Sequence, residues 1–215
     1  MVKIITADEA AAMVNDGDTI LVGGFLAVGS PEAICDALVC RNVKDLTLIC
    51  NDTGFPDRGA GKLIVNKQFK KVIASHLGTN RETGRQMSAG ELEVELNPQG
   101  TLIERIRCGG IGLGGFYTPT GVGTPVAEGK EVRVINGREM LFETPLRGKF
   151  AFVKAFVGDK HGNLRYQATG RNFNPEIAYA ADIVIAEVDH LVDFLDPDDI
   201  VTPGVLVDHI VRRDI

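Results

Sequence analysis

Three segments of this chain carry groups suited to holding a charged or carbonyl-bearing small molecule. The first is Asp16–Pro31, which reads Asp-Gly-Asp-Thr-Ile-Leu-Val-Gly-Gly-Phe-Leu-Ala-Val-Gly-Ser-Pro. Its apolar stretch Ile20–Val22 reads as a short buried strand that leaves an Asp-Gly turn and ends at Gly23-Gly24. Ser30 then reads as a helix N-cap and Pro31 as the first helical residue. A strand, a glycine loop and a helix in that order bring bare backbone and helix N-terminal N–H groups to an anion or a developing oxyanion. The residues offered to a ligand are Gly24, Phe25, Leu26, Ala27, Val28, Gly29 and Ser30. The second segment, Asn51-Asp52-Thr53-Gly54, follows a strand, and the third, Asn97-Pro98-Gln99-Gly100, opens a helix. Asn51 and Gln99 are the candidate catalytic residues, because uncharged amides donate to carbonyl-type oxygens and do not titrate. On residue type alone a turn or cap role is the default for each, and for Asn51 in Asn-Asp-Thr-Gly it is the favoured one.

From the residues alone the ligand stays open. A plain strand-to-helix turn uses the same glycines. A dinucleotide site would want Gly-x-Gly-x-x-Gly, whereas the loop has Gly24-x-x-x-x-Gly29, and Asp45 precedes the second strand instead of ending it. The lysine of a phosphate-binding P-loop is missing. Phe116-Tyr117-Thr118-Pro119-Thr120-Gly121 sets aromatic and hydroxyl groups on a glycine frame, which suits a narrow pocket with one or two polar anchors. In Asn172-Phe173-Asn174-Pro175, Asn174 serves either as an N-cap or as a ligand contact.

These segments must be held by an α/β frame. Thr6-Ala7-Asp8-Glu9 is a capping box ahead of a helix over Ala10–Val14. Strands are expected at Thr19–Gly23, Leu46–Cys50, Lys71–Ser75, Phe150–Val157 and Asp182–Val188. Helices are expected at Pro31–Cys40, with Ile34, Leu38 and Val39 on one face, at Gly100–Arg107 and at Asn174–Ala180. The alternation predicts an open, mostly parallel sheet flanked by helices. Gly109–Gly123, with seven glycines in fifteen residues, is expected to be a functional loop without helix or strand. Val132–Ile135 and Met140–Glu143, joined through Asn136-Gly137, form a small β-hairpin excursion.

At 215 residues the chain reads as one domain over 1–215. A net charge of −6 argues against a nucleic-acid partner. No apolar run approaches the roughly 18 residues of a membrane span, and no signal peptide is visible, so neither a membrane nor export is expected. Cys35, Cys40, Cys50 and Cys108 form no Cys-x-x-Cys pair and lie in apolar contexts; they read as small buried hydrophobes in a reducing, cytoplasmic setting, with no metal site. His76, His161, His190 and His209 are scattered, and no Ser-His-Asp or Cys-His triad emerges.

The whole Asp16–Pro31 string resembles the first motif of the family I coenzyme A transferases, and every fixed position of that pattern is met. The likeness continues through Asn51–Gly54, Asn97–Leu102, Gly114–Thr124, Arg171–Pro175 and Val201–Gly204, so it spans nearly the entire chain. It is similar to the α subunit of 3-oxoacid or acetate/butyrate–acetoacetate CoA-transferases. The resemblance implies a CoA-transferase/NagB-like fold, an acyl-CoA and a short carboxylic acid such as acetoacetate, acetate, butyrate or succinate as substrates, and no cofactor beyond CoA as part of the substrate. It implies ping-pong chemistry on a glutamate, through an acyl-glutamyl anhydride and an enzyme–CoA thioester. The family's glutamate lies in a Glu-Asn-Gly segment; here Glu128 and Glu91 stand in other contexts and no Glu-Asn-Gly occurs. The resemblance therefore implies a separate β subunit carrying the glutamate, in a heterodimer or its doubled form α2β2. It places Gln99 beside that glutamate and leaves Asn51 between a site role and a turn. A sugar-phosphate isomerase-like enzyme, or a non-catalytic acyl-CoA-binding module, are the alternatives; the first needs an internal acid–base pair.

Overall fold

The computed structural model describes residues 2–213. In chain order the elements are β1 (Lys3–Ile5), α1 (Ala7–Ala12), β2 (Thr19–Val22), α2 (Glu32–Arg41), β3 (Leu46–Ile49), α3 (Gly61–Val65), β4 (Phe69–Ala74), α4 (Arg81–Ser88), β5 (Glu93–Leu96) and α5 (Gln99–Ile111). There follow β6 (Phe116–Thr118), β7 (Val132–Ile135), β8 (Arg138–Glu143), β9 (Gly148–Asp159), β10 (Leu164–Arg165), α6 (Asn174–Ile177), β11 (Ala181–Val192) and β12 (His209–Arg212). The large sheet runs β1-β12-β11-β9-β2-β3-β4-β5, with β10 antiparallel on β9. Every neighbouring pair along that path is parallel.

Both faces of the sheet are buried, as parallel sheets require. Ile20, Val22, Leu48, Phe150 and Phe152 pack on one side with Ala10 and Ala11 of α1, Ile34 and Leu38 of α2, and Leu63 and Ile64 of α3. Their strand neighbours Leu21, Ile49, Ala151 and Val153 point the other way, onto Leu102 and Ile106 of α5 and Ile177 of α6. The strict alternation of side chains along each strand produces this division. Each such Leu, Ile or Phe contributes about 1.5–3 kcal/mol on burial.

The expected open parallel sheet is present, and several local expectations are corrected. The capping box closes as predicted, Glu9 N donating to Thr6 Oγ1 and Thr6 N to Glu9 Oε2, so the helix starts at Ala7 and not at Ala10. The edge strands β1 and β5, and β12 next to β1, carry no long apolar run. Glu93 and Glu95 of β5 are held by Lys71 of β4 at 2.8 and 3.3 Å, a cross-strand pairing that pattern alone hides. Gly109–Gly123 is not all loop. α5 continues through Gly109 and Gly110, where a Cβ would stand 2.0 Å from the Leu146 carbonyl and 2.5 Å from Tyr179, so these glycines let the helix pack tightly. Phe116–Thr118 becomes β6 of a separate antiparallel sheet, ordered β6-β8-β7. Cys35, Cys50 and Cys108 are buried as expected, but Cys40 is exposed. No helix among the described residues is long and apolar enough to cross a membrane.

Candidate functional site

The carboxyl ends of β2, β3, β4 and β5 are adjacent in the sheet, and the segments leaving them enclose a cavity of about 390 Å³. Phe25 and Leu26 follow β2, Asn51 and Asp52 follow β3, Ser75, His76 and Thr79 follow β4, and Gln99 is the first residue of α5. Ligands of open α/β sheets collect at this rim.

One hydrogen-bonded chain runs through the polar members. Gln99 Nε2 donates to Asn51 Oδ1 at 2.7 Å, and Asn51 Nδ2 donates to Asp52 Oδ2 at 2.6 Å. The same Oδ2 accepts Leu26 N–H at 2.9 Å, and Asp52 Oδ1 accepts Gly54 N–H at 2.9 Å. Ser75 Oγ donates to Asn51, 2.7 Å from its main-chain O and 3.1 Å from Oδ1. Asn51 is 1% exposed, whereas Gln99 is exposed. Among the described residues nothing else bonds the Gln99 amide, so its second N–H and its Oε1 have no protein partner. Both Asp52 oxygens accept hydrogen bonds, and Asp52 is the one carboxylate in the lining. The lining also holds no glutamate.

The loop after β2 is a tight two-residue turn. Phe25 and Val28 exchange N–H···O bonds of 3.0 and 2.9 Å, with Leu26 and Ala27 at φ 47° and 65°. Such a turn wants two left-handed residues, and L side chains there cost about 1–2 kcal/mol each. Surrounding bonds over-determine it: Asp52 takes Leu26 N–H, Asn172 Nδ2 donates to Val28 O at 2.9 Å, and Asn174 Nδ2 donates to Gly29 O at 3.0 Å. Phe25 and Val28 are 41% and 50% exposed. With Leu26, Thr169 and Asn172 they line a second, apolar cavity of about 510 Å³, so the turn is a ridge between the two.

The other loop residues sit elsewhere. Gly24, Ala27 and Ser30 face a closed gap of about 10 Å³, and Gly29 faces a depression of about 290 Å³ beside Lys154 and Asp189. Gly24 has φ +124°, and a Cβ there would meet Ser30 Oγ at 2.2 Å, not the cavity. Ser30 is not the N-cap: its Oγ donates to Gly23 O, and Pro31 occupies the cap position without a side-chain bond. The N–H groups of Ala33 and Ile34 are taken by Glu187 Oε2 of β11 at 2.9 and 3.2 Å. A fully buried carboxylate thus fills the anion position expected for a ligand. Burial pushes the Glu187 carboxyl up, against the lowering pull of Lys154 and the two amides. Asn174 is no N-cap either. Its Oδ1 accepts Lys154 N–H and its Nδ2 also donates to Gly170 O, a buried bracket between loop and sheet.

Phe116–Gly121 contributes nothing to the cavity around Gln99. Tyr117 packs against Phe142 with its ring tilted, centroids 5.1 Å apart, and donates to Glu131 at 2.6 Å beside the small sheet. Sequence reasoning missed Asp52, Ser75, His76 and Thr79. The available signal was position: each follows a parallel strand's carboxyl end.

The coenzyme A transferase family model matches residues 4–213. The chain is 56% identical over 211 residues to the acetate CoA-transferase subunit alpha of Escherichia coli strain K12, covering 97% of this chain and 96% of that one. It is 49% identical over 213 residues to the acetoacetyl-CoA:acetate/butyrate CoA transferase alpha subunit of Clostridium acetobutylicum, covering 98% of each. An acyl-CoA transferase apoenzyme from Escherichia coli O157:H7 has the same fold, with a TM-score of 0.91 at 22% identity over 99% of this chain. This chain spans 47%, about half, of that solved chain.

Proposed function

This chain belongs to the coenzyme A transferase family, and from that premise we propose that it is the α chain of a two-subunit enzyme that moves CoA between a short-chain acyl-CoA and a short carboxylate. Acetate, acetoacetate and butyrate, the acids in the names of its relatives, are the proposed partners in exchange. The observation that carries this reading is the Gln99–Asn51 pair on the rim of β2 to β5. It is a positioned neutral donor in a lining without a glutamate. A site that offers a donor to an oxyanion and holds no glutamate in its lining suits one wall of a shared centre.

The proposed β subunit supplies a glutamate carboxylate opposite Gln99. Its oxygen attacks the thioester carbon, negative charge develops on the carbonyl oxygen, and the C–S bond breaks to release CoA thiolate, leaving an acyl-glutamyl anhydride. The thiolate then attacks the glutamyl carbonyl and the first carboxylate leaves, giving the enzyme–CoA thioester. The acceptor carboxylate reverses both steps. The free N–H of Gln99 donates to oxygen as charge develops, and a donor placed in advance requires no reorganisation. We propose that residues 1–215 act as one domain, in the cytoplasm, with CoA entering as substrate and no further cofactor.

Transfer from acetoacetyl-CoA to acetate, assayed with the chain alone and with its co-expressed β subunit, tests this. Turnover is expected only in the complex, with a CoA thioester trapped on the β chain. Turnover by this chain alone overturns the reading.

A further inference from the structure

Asp52 is 7% exposed and lines the cavity beside Asn51, at the end of the amide chain away from Gln99. Both Asp52 oxygens already act as acceptors of main-chain N–H groups, Oδ2 from Leu26 and Oδ1 from Gly54. Facing Asn51, Asp52 therefore admits only the Nδ2 end of that amide, which turns Asn51 Oδ1 toward Gln99. Asn51 Oδ1 in turn admits only Gln99 Nε2. The direction of the whole relay is fixed at its buried end. The same Asp52 Oδ2 holds Leu26 N–H, so one oxygen joins the amide relay to the strained Phe25–Val28 turn, whose Phe25 and Leu26 form the opposite lining of the cavity. Gly54 N–H pins the other oxygen.

We propose that Asp52 is a positioning residue for CoA transfer, setting the orientation of the Gln99 amide through Asn51 and the distance between Gln99 and the Phe25–Val28 turn; this rests on the functional reading above. Asp52 has its oxygens taken by Leu26, Asn51 and Gly54. It acts by making the Gln99 N–H point at the reacting oxygen before substrate arrives, so its loss is felt in the chemical step and not in acyl-CoA binding.

The test is a cycle in the assembled α/β complex with Asp52→Ala, Asp52→Asn and Gln99→Ala, reading kcat, KM for acetoacetyl-CoA, and assembly by sedimentation. Asp52→Ala is expected to lower kcat about tenfold to a hundredfold, as small misplacements of reacting groups do, with KM nearly unchanged. Asp52→Asn, which retains one acceptor oxygen, recovers part of the loss. In a Gln99→Ala background the Asp52 substitution adds less than about threefold, because residues acting in one unit are not additive. Losses that multiply in full, a rise in KM with constant kcat, or a wild-type kcat in Asp52→Ala overturn the proposal. If Asp52→Ala does not assemble, Asp52→Asn carries the same cycle, and an additive or absent effect there overturns it. A wild-type complex without transfer activity overturns the functional reading and this proposal with it.

Discussion

Gln99 Nε2 and Asn51 Oδ1 stand 2.7 Å apart, joining residues 48 positions apart in the chain at the ends of β5 and β3. Asn51 is fully enclosed and Gln99 is not, so the pair is anchored on one side and open on the other. Gln99→Ala removes the exposed donor and almost no packing. In the assembled complex kcat is expected to fall by roughly tenfold to several hundredfold, the range for a donor to developing charge that is partly shared with the ground state. Slower formation of the β-chain CoA thioester, followed by rapid quench, checks it; a wild-type rate would leave Gln99 only the first residue of α5.

How much of this was legible in the sequence follows from the range of the interactions. Apolar runs such as Ile20–Val22 and Leu46–Ile49, broken only at the half-buried Thr47, declare their strands because burial on both faces of a parallel sheet leaves few polar positions. Gln99 and Asn51 stood out as amides at element ends. What could not be read is who bonds them. The partner of the α2 N-terminus is Glu187, 154 residues from Ala33, so Ser30 looked like the cap only because it is near in sequence. Likewise Leu26 and Ala27 carry no signature of a left-handed turn, because bonds from Asp52, Asn172 and Asn174 impose it. The glycines of 109–115 misled for the opposite reason: helix α5 uses two of them for contact and not for flexibility.

Ala27 lines neither of the two cavities beside the turn, yet it sits at φ 65°. Ala27→Gly relieves left-handed strain while every named bond to the turn remains. Stability should rise by about 1 kcal/mol, read as roughly 2–4 °C in Tm for a chain of this size, with turnover unchanged. A drop in Tm would mean that the turn is held by the rigidity of Ala27 itself.

Gly24→Val meets two obstacles, a φ of +124° and Ser30 Oγ at 2.2 Å from the new Cβ. Strain of about 1–3 kcal/mol and overpacking of similar size are expected together. Thermal melting and turnover should therefore fall in parallel, with Gly24→Ala intermediate. Lost turnover at an unchanged Tm would instead favour direct contact between ligand and Gly24 backbone.

Glu187 gives the chain a pH-dependent element away from the cavity. Its carboxylate faces Ala33 and Ile34 N–H through Oε2, while Oε1 has no hydrogen-bond partner and lies 3.8 Å from Lys154 Nζ, which is itself paired to Asp189; Arg213 adds a weaker positive charge. Burial dominates and raises the folded-state value from the ordinary one for a glutamate, despite these opposing charges. The folded protein therefore binds a proton at Glu187 more readily than the unfolded chain, where a glutamate titrates near about 4.3. Stability from this group is complete below that pH and is lost as pH rises through the folded value. Glu187→Gln has no titration, so the difference in Tm between wild type and variant isolates the effect from every other carboxylate. Wild type minus variant should be most positive in acid, fall as pH rises above about 4.3, and then level off. A difference that grows with pH over that window would mean that Lys154 and the two amides outweigh burial, making Glu187 a stabilising anion at the head of α2.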